Sequence, residues 1–224
     1  MNDNPWASIS DMMSGLMIIF LFISVAYMNN VTKEKSKIEN IAITWDKTQE
    51  ELYTDLKSEF QNDLAKWQAS LNRETLSVRF DEPSVFFVAG SAILTPTFQE
   101  ILNDFFPRYM NILRKYQDNI VEVRIEGHTS SEWIGAKDKL DAYFRNMQLS
   151  QDRTRTVLQY CLTLPAISSH LEWAISTITA NGLSSSKLII NDNGQEDQAL
   201  SRRVEFRVRT DSEKRVLKIL EGIQ

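Results

Sequence analysis

The 224-residue sequence carries 25 lysines and arginines against 30 aspartates and glutamates, a formal charge of −5, with one cysteine and two histidines. Net acidity argues against nucleic acid as a main partner, because holding phosphates needs a basic surface. Cys161 stands alone, so no intramolecular disulfide or thiolate cluster can form, and His128 and His170 have no second ligand at metal spacing. No nucleophile–base set or pair of catalytic acids stands out, so neither an enzyme nor a metal or cofactor is expected.

From Met12 to Met28 no residue is charged, and Leu, Ile, Phe, Met and Val dominate. Counted from Ile9, the run is long enough to cross a hydrocarbon core, which takes roughly 20 residues. A cleaved signal peptide would want a basic start and a small-residue cleavage site. The opening Met-Asn-Asp-Asn-Pro has no basic residue, which predicts a tail over 1–8 and an uncleaved transmembrane helix over 9–28. Asp11 sits in the first turns of that run. A charge in the membrane costs about 2.5–3.5 kcal/mol on insertion scales, so it faces protein or water rather than lipid. The plainer reading is an acid near a helix N-terminus, with Ser8 or Ser10 as cap. Lys33, Lys35 and Lys37 follow the run and none precedes it, which by the positive-inside rule favours a cytoplasmic C-terminal part.

Residues 31–73 are charged and free of Gly and Pro, with apolar residues at Ile38, Ile41, Trp45, Leu52, Leu56, Phe60, Leu64, Trp67 and Leu71. Steps of mostly three or four predict an amphipathic helix. The spacing suits a parallel dimer stalk or a helix lying against its own domain, and a linker over 29–75 is assigned to it. At Leu76 the pattern changes. Val78-Arg79-Phe80 alternates as a strand, and Val85 to Val88 is a short apolar run. Thr95 and Pro96 suit a helix start, and Phe98, Ile101, Leu102, Phe105 and Phe106 make its apolar face until Pro107 bends or breaks it. Val121 to Gly127 alternates cleanly, and a helix follows from about Asp138 to Leu162. The chain breaks near Pro165, is helical again from Leu171 to Ile178, and turns at Ala180-Asn181-Gly182. Lys187 to Asn191 reads as a strand, Val204 to Val208 as the last strand, and 211–224 as a short terminal helix. Strands alternating with helices predict an α/β or α+β domain over 76–210, a mixed sheet covered by helices.

Four segments in order, Phe87-Val88-Ala89-Gly90-Ser91-Ala92-Ile93-Leu94-Thr95-Pro96, Ile125-Glu126-Gly127-His128-Thr129, Asn146-x-x-Leu149-Ser150-x-x-Arg153-Thr154-x-x-Val157 and Ser201-Arg202-Arg203-Val204-Glu205, resemble the OmpA-like peptidoglycan-binding domain. The resemblance implies a site for the diaminopimelate of the cell-wall stem peptide, lined by Thr129, Asn146, Leu149 and Arg153, with Arg202 or Arg203 beside it. The family usually has Asp after the loop Thr to meet the ligand's ammonium. Ser130 stands there instead, with Glu132 or Asp138 as the substitute.

Trp6-Ala7-Ser8-Ile9-Ser10-Asp11-Met12-Met13-Ser14-Gly15-Leu16-Met17 resembles the transmembrane segment of MotB-type stator proteins, whose early Asp binds the transported proton. Anchor, helical linker and OmpA-like domain in one chain are similar to the whole MotB architecture. The Ser-Asp-Met-Met-Ser-Gly wording, the short N-terminus and the extra length between Leu162 and Gly182 are most similar to MotB-like subunits of anti-phage defence systems, with the flagellar version as nearest competitor. The resemblance implies an inner-membrane protein, cytoplasmic over 1–8 and periplasmic from 29 on, against the lysine signal. It also implies a homodimer with proton-binding Asp11 inside a pentamer of a MotA-like multi-helix partner. A passive envelope anchor without ion flux is the alternative.

Overall fold

The computed structural model describes the backbone of residues 5–81, 83–88 and 90–211, and their side chains except for 5–8, 11, 34, 36–46, 83 and 84. The order is α1 (Pro5–Phe60), β1 (Ala69–Asn72), β2 (Ser77–Asp81), α2 (Pro83–Phe86), α3 (Pro96–Lys115), β3 (Ile120–His128), α4 (Lys139–Leu162), a 3-10 turn over Pro165–His170, α5 (Leu171–Thr177), β4 (Ile178–Gly182), α6 (Gln198–Ser201) and β5 (Arg203–Thr210). Residues 48–212 form one compact unit, and the N-terminal part of α1 belongs to another. The terminal helix expected after 211 lies outside the described residues.

In the N-terminal unit, Met12–Lys33 of α1 is long and apolar enough to cross a membrane, and none of it is buried. Leu16, Phe20, Phe22 and Ile23 are exposed, as lipid-facing residues are. Ser14 Oγ and Thr32 Oγ1 turn back onto the carbonyls of Ser10 and Met28, both at 2.8 Å, so these hydroxyls need no outside partner.

In the larger unit the strands run β1-β2-β5-β3-β4. Neighbours are antiparallel except β3 and β4, which run parallel with Val123 opposite Ile178 and Gly127 opposite Gly182. The parallel pair is joined through α4 and α5, since a parallel return needs a long crossover. Alternation gives the sheet two unlike faces. Val78, Phe80, Val123, Ile125, Val204, Phe206 and Val208 point into the core, and Arg79, Arg124, Glu126, Arg203, Glu205 and Arg207 line a cavity on the other face. Among the described residues the helices therefore cover one face of the sheet only. At the centre Phe105 meets Phe80 at 5.2 Å, Phe206 at 5.1 Å and Phe60 at 5.2 Å between ring centroids.

The linker ends differently from the sequence expectation. The helix stops at Phe60 rather than near residue 73, and Ala69–Asn72 pairs with β2 as an edge strand. Leu52, Leu56 and Phe60 are fully buried in the core of this domain. This end of the stripe that would suit a dimer seam is here used up by the chain's own sheet and α3. Polar links reinforce that docking. Arg108 Nε donates to Glu59 at 2.7 Å, and its Nη2 donates to the Glu59 carbonyl at 2.9 Å and to Asp63 at 3.0 Å. These bonds with Arg108 hold the Asp63 carboxyl below its usual range. Lys115 and the Tyr116 hydroxyl both reach Asp55.

Three other expectations change. Thr95 caps α3 as predicted, accepting from Phe98 N, but the helix runs unbroken through Pro107. A proline inside a helix costs ~3 kcal/mol. Phe105, Phe106, Tyr109 and Met110 flank it and are all fully buried, at about 1.5–3 kcal/mol for each such side chain, so packing wins. Pro83–Phe86 forms a short helical turn, and Phe87 after it makes a single bridge to Leu94. Ala180-Asn181-Gly182 is strand rather than turn, while Lys187 to Asn191 contributes only a single bridge, Ile190 to Glu196.

Candidate functional site

The site is built where β3 ends and α4 begins. Thr129 to Ile134 leave the end of β3, and Asn146, Leu149 and Arg153 recur at helical spacing on one face of α4. With Gly90 and Arg202 these residues line a cavity of about 450 Å3 that includes Ser130, Glu132 and Trp133. Thr129, Asn146, Leu149, Arg153 and Arg202 are thus brought together as expected. Arg203 is not: as the first residue of β5 it faces the open side of the sheet with Glu205, where Nε donates to Glu205 at 2.5 Å and Nη1 to the carbonyls of Lys187 and Ser201. Alternation along the strand decides this.

Asn146 is buried and acts on the loop rather than pointing outward. Its Nδ2 donates to the carbonyls of Ser130 and Glu132, both at 3.2 Å. Glu196 holds the same loop from the other side through Ser131 N at 2.9 Å and the Ser131 hydroxyl. Asp138 does not line the cavity; it caps α4 by accepting from Asp141 N at 2.8 Å. Of the two acids near Ser130, Glu132 is therefore the one in position.

Arg153 is the chemical centre. Its Nε donates to the Ser91 carbonyl at 2.9 Å, and its guanidinium lies over the Phe87 ring at 4.7 Å. Among the described residues it has no carboxylate partner and no other protein acceptor. Burial, and then the like charge of Arg202, lower its pKa to about 10. Both causes disfavour the cation, so an anion placed between the two guanidiniums relieves both. Among the described residues Thr129 Oγ1, buried in the same wall, has no hydrogen-bond partner, a second group left for a ligand. The cavity thus offers a planar cationic fork, a hydroxyl, a carboxylate on Glu132 and an indole edge on Trp133. Ser91 and Phe87, which hold Arg153, and Glu196, which holds the loop, were not singled out in the sequence. Ser91 and Phe87 carried a signal in the Phe87–Pro96 motif, and Glu196 carried none.

A cationic fork over α4, cradled by a loop after β3 on a β1-β2-β5-β3-β4 sheet, is the arrangement of an OmpA-type binding domain. The chain belongs to the OmpA family, whose model matches residues 86–203. It is 48% identical over 220 residues to Zorya protein ZorB of Escherichia coli, covering 98% of this chain and 94% of that protein. A crystal structure of a MotB-like protein from Desulfovibrio vulgaris shares the fold at a TM-score of 0.51 and 21% identity, over 73% of this chain and 91% of that one.

Proposed function

We propose that this chain is the MotB-like stator subunit of a Zorya-type anti-phage system, spanning the inner membrane once and gripping peptidoglycan in the periplasm. The observation that carries this reading is the 48% identity to ZorB running through 98% of the chain, which takes in the apolar helix and the Arg153 cavity together. In this reading residues 1–8 are cytoplasmic, α1 crosses the membrane, and the chain from residue 29 on is periplasmic. Asp11 binds the transported ion, H+, on a path shared with a ZorA-like multi-helix partner, a pentamer around a dimer of this chain. The protein performs no catalysis; its domain holds the stator still while the partner moves.

The cavity supports the wall-binding half. Arg153 and Arg202 receive a stem-peptide carboxylate, Thr129 Oγ1 gives or accepts one hydrogen bond, and Glu132 meets the ammonium of diaminopimelate in place of the acid absent at Ser130. Removing one partner of a desolvated charge pair costs on the order of 2–5 kcal/mol. Arg153→Ala should therefore weaken binding of the full chain to isolated sacculi by about 30-fold or more. Arg153→Lys keeps the charge but loses the fork and the stacking on Phe87, and should fall between. Equal sacculus pull-down by wild type and Arg153→Ala would remove the cavity from the reading.

A further inference from the structure

The face of the sheet away from the helices carries charge that wall binding does not use. Its cavity of about 380 Å3 is walled by five cationic side chains against two carboxylates, in a chain of net charge −5. The strand register concentrates that charge. Arg124 on β3 lies directly opposite Arg207 on β5, and like charges directly opposite each other destabilise a sheet. Three of the cations have carboxylate partners: Arg79 has Asp81, Arg124 has Glu122 and Arg203 has Glu205. Arg124 bonds Glu122 through Nε, which leaves its Nη donors. Among the described residues, Arg207 and Lys187 have no hydrogen-bonded carboxylate. Glu126, diagonal to Arg207 on the neighbouring strand, answers one of these two charges and leaves the other in excess. His128 lines the same cavity and is only 4% exposed, and among the described residues neither of its ring nitrogens has a hydrogen-bond partner. Its Nε2 is 3.6 Å from Glu126 and 3.9 Å from Glu205, beyond hydrogen-bond range. A buried polar group without a partner calls for one, and an excess cation beside it calls for an anion.

We propose that this face binds a phosphate group between Arg124 and Arg207. A guanidinium gives parallel N–H bonds to phosphate oxygens, and these two come from neighbouring strands, so they reach a tetrahedral anion from two sides. Exposed Lys187 adds a point charge at the rim, and the neutral His128 ring has one N–H to give. The carboxylates of the wall then differ in use. Glu205 is held by Arg203. Glu126 is open to accept a hydrogen from a protonated phosphate oxygen, or from a hydroxyl of a sugar that carries the phosphate. That acceptor favours phosphate over sulfate, which has no hydrogen to give at neutral pH. The sequence hides the site because its charges lie on β3, on β5 and after β4, and meet only in the folded sheet. It shares no residue with the Arg153 cavity, so both can be filled at once.

The test is a calorimetric titration of the full-length protein in detergent with inorganic phosphate at constant ionic strength. Working in an Arg153→Ala background removes the wall-binding cavity from the readout. Phosphate should bind, and sulfate should bind more weakly by about tenfold or more, the worth of one hydrogen bond to a charged group. Arg207→Gln should weaken phosphate binding by about tenfold or more for the same reason. Arg124→Gln, on the facing strand, is the second variant should Arg207→Gln fail to fold. Glu126→Gln should narrow the gap between phosphate and sulfate, which the loss of a merely structural carboxylate would not do. Glucose 1-phosphate is the second probe: tighter binding than phosphate assigns the site to a phosphorylated sugar, and equal or weaker binding assigns it to the free anion. No phosphate uptake, sulfate bound as well as phosphate, or uptake unchanged by both arginine substitutions overturns the site.

Discussion

Gly182 ends β4 where the backbone of α4 comes closest to the sheet. A Cβ there would stand 2.3 Å from Gln151 N and 2.6 Å from Gln151 Cα, and neither backbone atom can step aside. Gly127, its partner across the strand pair, meets Ser150 O at 2.9 Å in the same way. The hydroxyls nearby complete the seam: Ser184 Oγ donates to Tyr143 O at 2.7 Å, and Ser150 Oγ accepts from Ser184 N at 3.1 Å. α4 is thus seated on glycines at the level of Leu149 and Arg153. Gly182→Ala should destabilise the domain by about 1–3 kcal/mol, a fall in melting temperature on the order of 5 °C. It should also weaken sacculus binding, because Gln151 cannot shift without moving Arg153. Unchanged melting would mean that α4 has slack at this seam. The Ala180-Asn181-Gly182 stretch reads as a turn because its composition is turn-like. The glycine is there for close approach instead, a need set by a helix some thirty residues earlier in the chain.

At the scale of elements, α1 divides its apolar stripe between two tasks. Leu52, Leu56 and Phe60 belong to the domain's core, so any dimer seam can use only the stripe before them, at Ile38, Ile41 and Trp45, whose side chains lie outside those described. Single cysteines in membranes separate the two stretches. Ile41→Cys should give same-position cross-linked dimers. Leu56→Cys should give none, and Leu56→Ala should cost about 2–5 kcal/mol as a core cavity. Dimers at position 56, or none at 41, would reverse this division. Why the boundary escaped the sequence is plain, since a helix facing a partner and a helix facing its own sheet show the same spacing. What could be read was the local chemistry: the Thr95 cap with Pro96, the alternation of β3 and β5, and the Asn146–Arg153 helix. What could not was anything fixed by pairing across distance, namely the β1 edge, the parallel β3–β4 pair and the face that Arg203 takes. The same limit separates Glu132 from Asp138, since only the folded loop shows that Asp138 is spent as a cap.

For the whole molecule, the proposed motor needs a titrating group at one end and a grip at the other, and Asp11→Asn tests the first while leaving the second. α1 begins at Pro5, which places Asp11 more than one turn inside the helix at 3.6 residues per turn. The helix dipole favours acids mainly within the first turn, so a role as terminal acid is weak on position alone. Asn has nearly the shape of a protonated Asp but releases no proton. Asp11→Asn should therefore leave the helix, the dimer, partner co-purification and sacculus binding intact, while protection against phage and proton flux vanish together. Asp11→Glu keeps the carboxyl on an arm one carbon longer and should retain part of the activity. If Asp11 served only as a helix-terminal acid, Asn, itself a good capping residue, would change stability by less than about 1 kcal/mol and activity not at all. The measurement is phage protection at matched membrane levels, with co-purification of the partner as the assembly control. Full protection by Asp11→Asn would end the motor reading and leave an envelope anchor held through Arg153.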